Sequence, residues 1–155
     1  MLKERVILLL ENSTDYLFQL DQAFRTAEIS DRLRVARYGN EAILYLKGIG
    51  IYGDRAHYPL PELIIIDLSI PDGSALAVFG WIRRQVELSS VPILILYNDE
   101  HPKPALKHWN VSINTFYLNR ENLEALVDRI KNVGRPSGAE GYGANPDPDD
   151  LELIS

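Results

Sequence analysis

With 155 residues and a mass of 17.6 kDa the chain has the length of one domain, and 46% hydrophobic with 25% charged residues is enough to fill an ordinary globular core. The absence of cysteine excludes disulfide scaffolds, iron–sulfur clusters, thiolate zinc sites and cysteine nucleophiles, and makes a reducing cytoplasm the expected location. A net charge of −6 argues against a nucleic-acid partner, whose phosphates are gripped by clustered Lys and Arg.

Three scattered histidines, His57, His101 and His108, do not make a histidine-rich metal site. The longest apolar runs are of five residues, Val6 to Leu10 among them, against the roughly 18 needed to cross a bilayer. No membrane span is expected, and Glu11 ends the first apolar run too early for a signal segment.

From Arg5 to Leu10 the residues suit a buried strand. Ser13 can cap a following helix whose Leu17, Leu20, Phe24 and Ala27 share a face. Arg32 to Arg37 alternates, with Leu33 and Val35 on one side and Arg32 and Arg34 on the other, as an edge strand does. A second helix is predicted over about Asn40 to Leu46, stopping at Gly48.

A loop rich in Gly and Pro, residues 50–61, leads to Leu63–Asp67, a run apolar on both faces that belongs at a sheet centre. A third helix is expected over about Ser74 to Val86, and a fourth strand over Pro92 to Tyr97. Pro102 and Pro104 leave the fourth predicted helix at most two turns before Asn110. A short strand, Thr115 to Leu118, precedes a fifth predicted helix that starts at Glu121 and carries Leu123, Leu126, Val127 and Ile130 on one stripe.

Strands alternating with helices in this way specify an α/β fold, a doubly wound five-stranded parallel sheet of order 2-1-3-4-5, flavodoxin-like in topology. Residues 1–133 make the domain. Residues 134–155, with five acids against one arginine, four glycines and three prolines, read as an acidic tail. Its terminal Leu151, Leu153 and Ile154 are candidates for docking on the domain or a neighbour.

Such sheets bind ligands beyond the carboxyl ends of the strands, at the switch between strands one and three. The candidates there are Glu11 and Asn12, Asp67, Tyr97 and Asn98, and Asn119. Asp67 stands out, because a carboxylate ends an otherwise apolar central strand. A haloacid-dehalogenase-type phosphatase would need a second aspartate where Ser69 stands, and ENSTD, which has no glycine, does not make a flavin phosphate loop. Nor do the glycine-rich nucleotide motifs, H-E-x-x-H or G-x-S-x-G occur. Trp81 and Trp109 are expected to be packing residues.

VILLLENSTD, IIIDLSIPDG, VPILILYND and TFYLN together resemble the four landmarks of bacterial response-regulator receiver domains, the CheY-like superfamily, over residues 5–133. The long loop before LIIIDL further resembles the single-domain receivers that accompany phytochrome-type histidine kinases. By that resemblance the chain is a two-component signalling domain in a phosphorelay and not an enzyme, with a histidine kinase or other signalling protein as partner. No output domain is expected after it.

The resemblance places Asp67 at the phosphoacceptor position, and Ser69 where a backbone carbonyl helps hold Mg²⁺. Glu11 and Asn12 fall at the acidic pair that completes the metal site. Tyr97 falls where the family has a Thr or Ser, Asn119 where it has a lysine, and Phe116 at the switch aromatic. Asn12 removes a ligand charge from a hard cation that prefers anionic oxygens, and Asn119 removes the ammonium that pairs with the phosphoryl group.

The expectation is therefore a pseudo-receiver that signals by protein contact, with no cofactor. The alternative is a working phosphoacceptor at Asp67 with an atypical Mg²⁺ site. A one-residue slip at strand five would put Arg120 at the lysine position and Tyr117 at the switch aromatic; the unslipped register is preferred. A homodimer or partner contact is expected on the face of the fourth predicted helix, strand five and the fifth predicted helix, where Trp109, Phe116 and Tyr117 cluster.

Overall fold

The structure is a computed structural model and describes residues 5–101 and 114–133. The fourth predicted helix, with Trp109, and the tail, with Leu151, Leu153 and Ile154, lie outside these described residues. Five parallel strands, β1 Val6–Leu10, β2 Arg32–Ala36, β3 Leu63–Asp67, β4 Ile93–Tyr97 and β5 Thr115–Asn119, form one sheet of order β2-β1-β3-β4-β5. This is the order predicted from the alternation of apolar runs.

Every residue of β1 and β3 is buried, because helices cover both faces of a parallel sheet. Helices α1 Thr14–Thr26 and α4 Leu123–Asn132 pack on one face through Tyr16, Leu20, Phe24, Leu126 and Ile130. Helices α2 Gly39–Lys47 and α3 Ala75–Arg83 pack on the other through Tyr45, Leu46, Val78, Phe79 and Ile82. Along each strand side chains alternate between these faces, so Ile7 and Leu9 meet α1 while Leu8 and Leu10 meet the α2–α3 layer.

Ser13 caps α1, its Oγ accepting the Tyr16 N–H at 3.1 Å. Asn122 caps α4 in the same way, accepting from Ala125 at 3.0 Å. Helix α2 ends at Gly48, which sits in the left-handed region at φ +73°. A Cβ there would lie 2.9 Å from Arg55 Nη2. Arg55 in turn donates to the Tyr45 and Leu46 carbonyls at 2.9 Å each, closing the helix end. Where α2 begins, a Cβ on Gly39 would lie 2.2 Å from Ser74 Oγ, so only glycine lets it approach the start of α3 this closely.

Leu33 packs on the α1–α4 core, while Val35 on the same side is 43% exposed, because an edge strand has helix cover over only part of its length. One expectation needs correction. Helix α3 stops at Arg83 rather than Val86: Gln85 is extended and a short 3-10 turn, Val86–Leu88, buries Leu88 while leaving Val86 in solvent.

Candidate functional site

Alternation fixes which strand-end residues meet. Leu10 pairs with Ile66, so Glu11 and Asp67 are the next residues on neighbouring strands, and Asp67 pairs with Leu96, which pairs with Leu118. Leu96 and Leu118 face the α1–α4 layer. Arg120, two residues past Leu118, falls on the same side. Asn119 and Tyr97 are one step out of phase, and Tyr97 packs on the α2–α3 core.

The resulting cluster is compact. Asp67 is fully buried and Glu11 is 1% exposed. Asp67 Oδ1 accepts from the Ser69 N–H at 2.9 Å and from Ser69 Oγ at 2.7 Å. Asp67 Oδ2 accepts from Arg120 Nε at 2.8 Å. Glu11 Oε2 accepts the Ser13 N–H at 2.9 Å, while Oε1 has no donor directed at it and lies 3.8 Å from Arg120 Nη2. The Arg120 guanidinium carbon stands 3.8 Å from the centre of the Tyr16 ring.

Burial, with the adjacent Asp67 carboxylate, pushes Glu11 up to about 8. For Asp67, burial works to raise the pKa but is outweighed by hydrogen bonds from Glu11 and Ser69 and by Arg120, which together hold it below the usual carboxylate range. At neutral pH Glu11 therefore keeps its proton and donates to an ionised Asp67. Arg120 loses hydration on burial, yet Asp67 and Glu11 hold it firmly charged. One anion and one cation leave the pocket without net charge.

The other predicted site residues are placed elsewhere. The Asn12 side chain donates to the Arg37 carbonyl at 3.3 Å, and Arg37 Nη1 donates back to the Asn12 carbonyl at 3.0 Å. Asn12 is thus turned toward β2, on the opposite side of β1 from Asp67. Asn119 Oδ1 accepts the Glu121 N–H at 2.9 Å and forms a local turn rather than meeting Asp67. Phe116, on the α1–α4 face, lies under the Arg129 guanidinium at 4.6 Å, whereas Tyr117 packs on the α2–α3 face. Both are buried.

Strand β5 pairs with β4 so that Tyr97 lies opposite Asn119, but the residue that reaches Asp67 is Arg120, the one named in the slipped alternative, and not Asn119. The cation taken to be missing is nevertheless present, because Arg120 beyond the strand end turns onto Asp67. Ser69 meets Asp67 through its hydroxyl and its amide.

The fold family implies a divalent cation here, and the residues as arranged do not fit one. Both Asp67 oxygens have donors, Asn12 faces away, and a guanidinium already sits on the pair. Among the described residues no three His, Asp or Glu side chains converge as metal ligands. None of their helices is long and apolar enough to cross a membrane.

No family model matches the chain. It is 24% identical over 129 residues to response regulator Rcp1 of Synechocystis sp., covering 83% of this chain and 86% of that one. In fold it is similar to the Mn²⁺-bound form of Rcp1, with a TM-score of 0.70 and 21% identity over 88% of this chain and 99% of that one. The bacteriophytochrome response regulator RtBRR superposes with a TM-score of 0.73 at 23% identity, over 98% and 89% of the two chains. The phosphorylated cyanobacterial phytochrome response regulator RcpA gives 0.65 at 22%, over 84% and 91%. The chain thus has the fold of these response regulators, and in sequence it is similar to response regulator Rcp1.

Proposed function

We propose that this receiver domain signals by protein contact from a pocket whose charges are satisfied internally, and that Asp67 is a structural ion-pair partner rather than a phosphate acceptor. The observation that carries this reading is the 2.8 Å bond from Arg120 Nε to a fully buried Asp67. Phosphoryl transfer to a carboxylate works by positioning and by neutralising the charge on the incoming group. Here the acceptor oxygens are engaged, and the ligand charge that Asn12 would have to supply is absent. The partner class is a histidine kinase or another signalling protein, reached with neither nucleic acid nor membrane.

The reading is tested by titrating the protein with beryllofluoride and Mg²⁺ and following amide resonances around Asp67. No shift is expected at Ser69, Tyr97 or Asn119, and Asp67→Asn should leave partner binding unchanged. Saturable, Mg²⁺-dependent shifts that vanish in Asp67→Asn would support the second reading, a working phosphoacceptor fed by a histidine kinase. One observation favours that alternative: Arg120 supplies a cation beside Asp67, where the family uses a lysine.

A further inference from the structure

We infer that Tyr16 is a positioning residue that clamps Arg120 over Asp67, so that the guanidinium occupies the place a bound cation would need. The inference rests on the closed-pocket reading and adds what holds the pocket closed. Tyr16 engages residue 120 twice. Its ring lies 3.8 Å from the guanidinium carbon, the shortest cation–ring contact among the described residues, and its hydroxyl donates to the Arg120 backbone carbonyl at 2.5 Å.

The clamp is itself anchored. Tyr16 is 4% exposed in the first turn of α1, and its N–H is held by Ser13 Oγ. The Ser13 N–H also holds Glu11 Oε2 at 2.9 Å, so one short segment fixes the ring, the second carboxyl group and, through the ring, the cation. A guanidinium suits this place because it can stack its face on an aromatic ring while its edge donates to a carboxylate, which an ammonium cannot do. Arg120 Nη2 lies 3.8 Å from Glu11 Oε1, the carboxyl oxygen with no donor directed at it. Glu11 and Asp67 are the residues that would hold a divalent ion if Arg120 left.

Mn²⁺ alone is the probe, titrated into the full chain and followed by the electron paramagnetic resonance signal of the free ion. Arg120→Gln should bind Mn²⁺ at least about tenfold more tightly than the unmodified protein, the equivalent of losing one charge-assisted bond that competed for Asp67. Tyr16→Leu, with both contacts to residue 120 gone, should shift affinity in the same direction by about half that logarithmic step. Tyr16→Phe keeps the stacking and should move it less. Adding Glu11→Gln to Arg120→Gln should abolish the gain.

A folded Tyr16→Leu with unchanged Mn²⁺ affinity beside an Arg120→Gln that gains would make Tyr16 a packing residue and overturn the inference. So would a failure of Arg120→Gln to gain. Should Tyr16→Leu not fold, the Arg120 Nε–H resonance decides: it should be shifted upfield by the ring and slow to exchange in the unmodified protein and in Tyr16→Phe, and an unshifted, fast-exchanging signal overturns the clamp. Failure of the closed-pocket reading is distinguishable, because it would show as Mg²⁺-dependent phosphorylation of the unmodified protein.

Discussion

Replacing Arg120 by Met removes the cation while keeping part of the side-chain volume. It leaves Asp67, fully buried, with an ionised carboxylate facing no positive group, and the arginine side chain it loses is itself only 18% exposed. Opposite charges about 4 Å apart attract by about 4 kcal/mol at an effective dielectric constant near 20. Removing one partner of a buried pair costs ~3–5 kcal/mol. Proton uptake by the Glu11–Asp67 pair relieves part of this, so we expect a loss of about 3 kcal/mol at pH 7. In an Asp67→Asn background there is no buried anion to strand, and Arg120→Met should cost only its contact with Tyr16, about 1 kcal/mol. Urea denaturation of the four proteins should thus give a coupling of about 2 kcal/mol between the two residues. A coupling below about 0.5 kcal/mol would refute the view that the ion pair organises this pocket.

Three further outcomes follow from other contacts. Glu11, lifted from 4.5 to about 8, keeps in the folded state a proton that the unfolded chain releases. Its stabilising contribution is complete below about pH 4.5, falls by up to about 1.4 kcal/mol per pH unit above it, and is gone above pH 8; urea midpoints compared between pH 5.5 and 7.5 should show this slope, and Glu11→Gln should flatten it. Gly48→Ala, forced into the left-handed region at φ +73° and toward Arg55, should cost ~1–2 kcal/mol by thermal or chemical denaturation. Asn12→Asp and Tyr97→Thr combined with Arg120→Lys should recover Mg²⁺-dependent phosphoryl uptake at Asp67 in an electrophoretic mobility assay, with single changes doing much less.

The strands and their order were legible in the sequence because continuous apolar runs such as VILLL and LIII have only one stable home, a sheet covered on both faces. Glu11 and Asp67 were legible as strand-end carboxylates at the switch point. Arg120 was harder to see, since matching motif to motif puts Asn119 at the lysine position. Parity would have found it. Counting alternate residues from Leu118 puts Arg120 on the side of Glu11 and Asp67 and puts Asn119 and Tyr97 on the other. The role of Tyr16 had no sequence signal, because a stripe of helix residues facing a sheet looks the same whether it packs against leucine or against a guanidinium. The end of α3 was misjudged for a related reason: periodicity tells which side a residue faces, and tertiary cover decides whether anything lies there.

We propose that Asp67 is held by Arg120 and does not accept phosphate. Incubation of the unmodified protein with acetyl phosphate and Mg²⁺, followed by intact mass and by phosphate-affinity electrophoresis, tests it most directly. We predict no Mg²⁺-dependent adduct, and no difference between the unmodified protein and Asp67→Asn. A stoichiometric phosphoryl adduct that requires Mg²⁺ and disappears in Asp67→Asn would contradict the account.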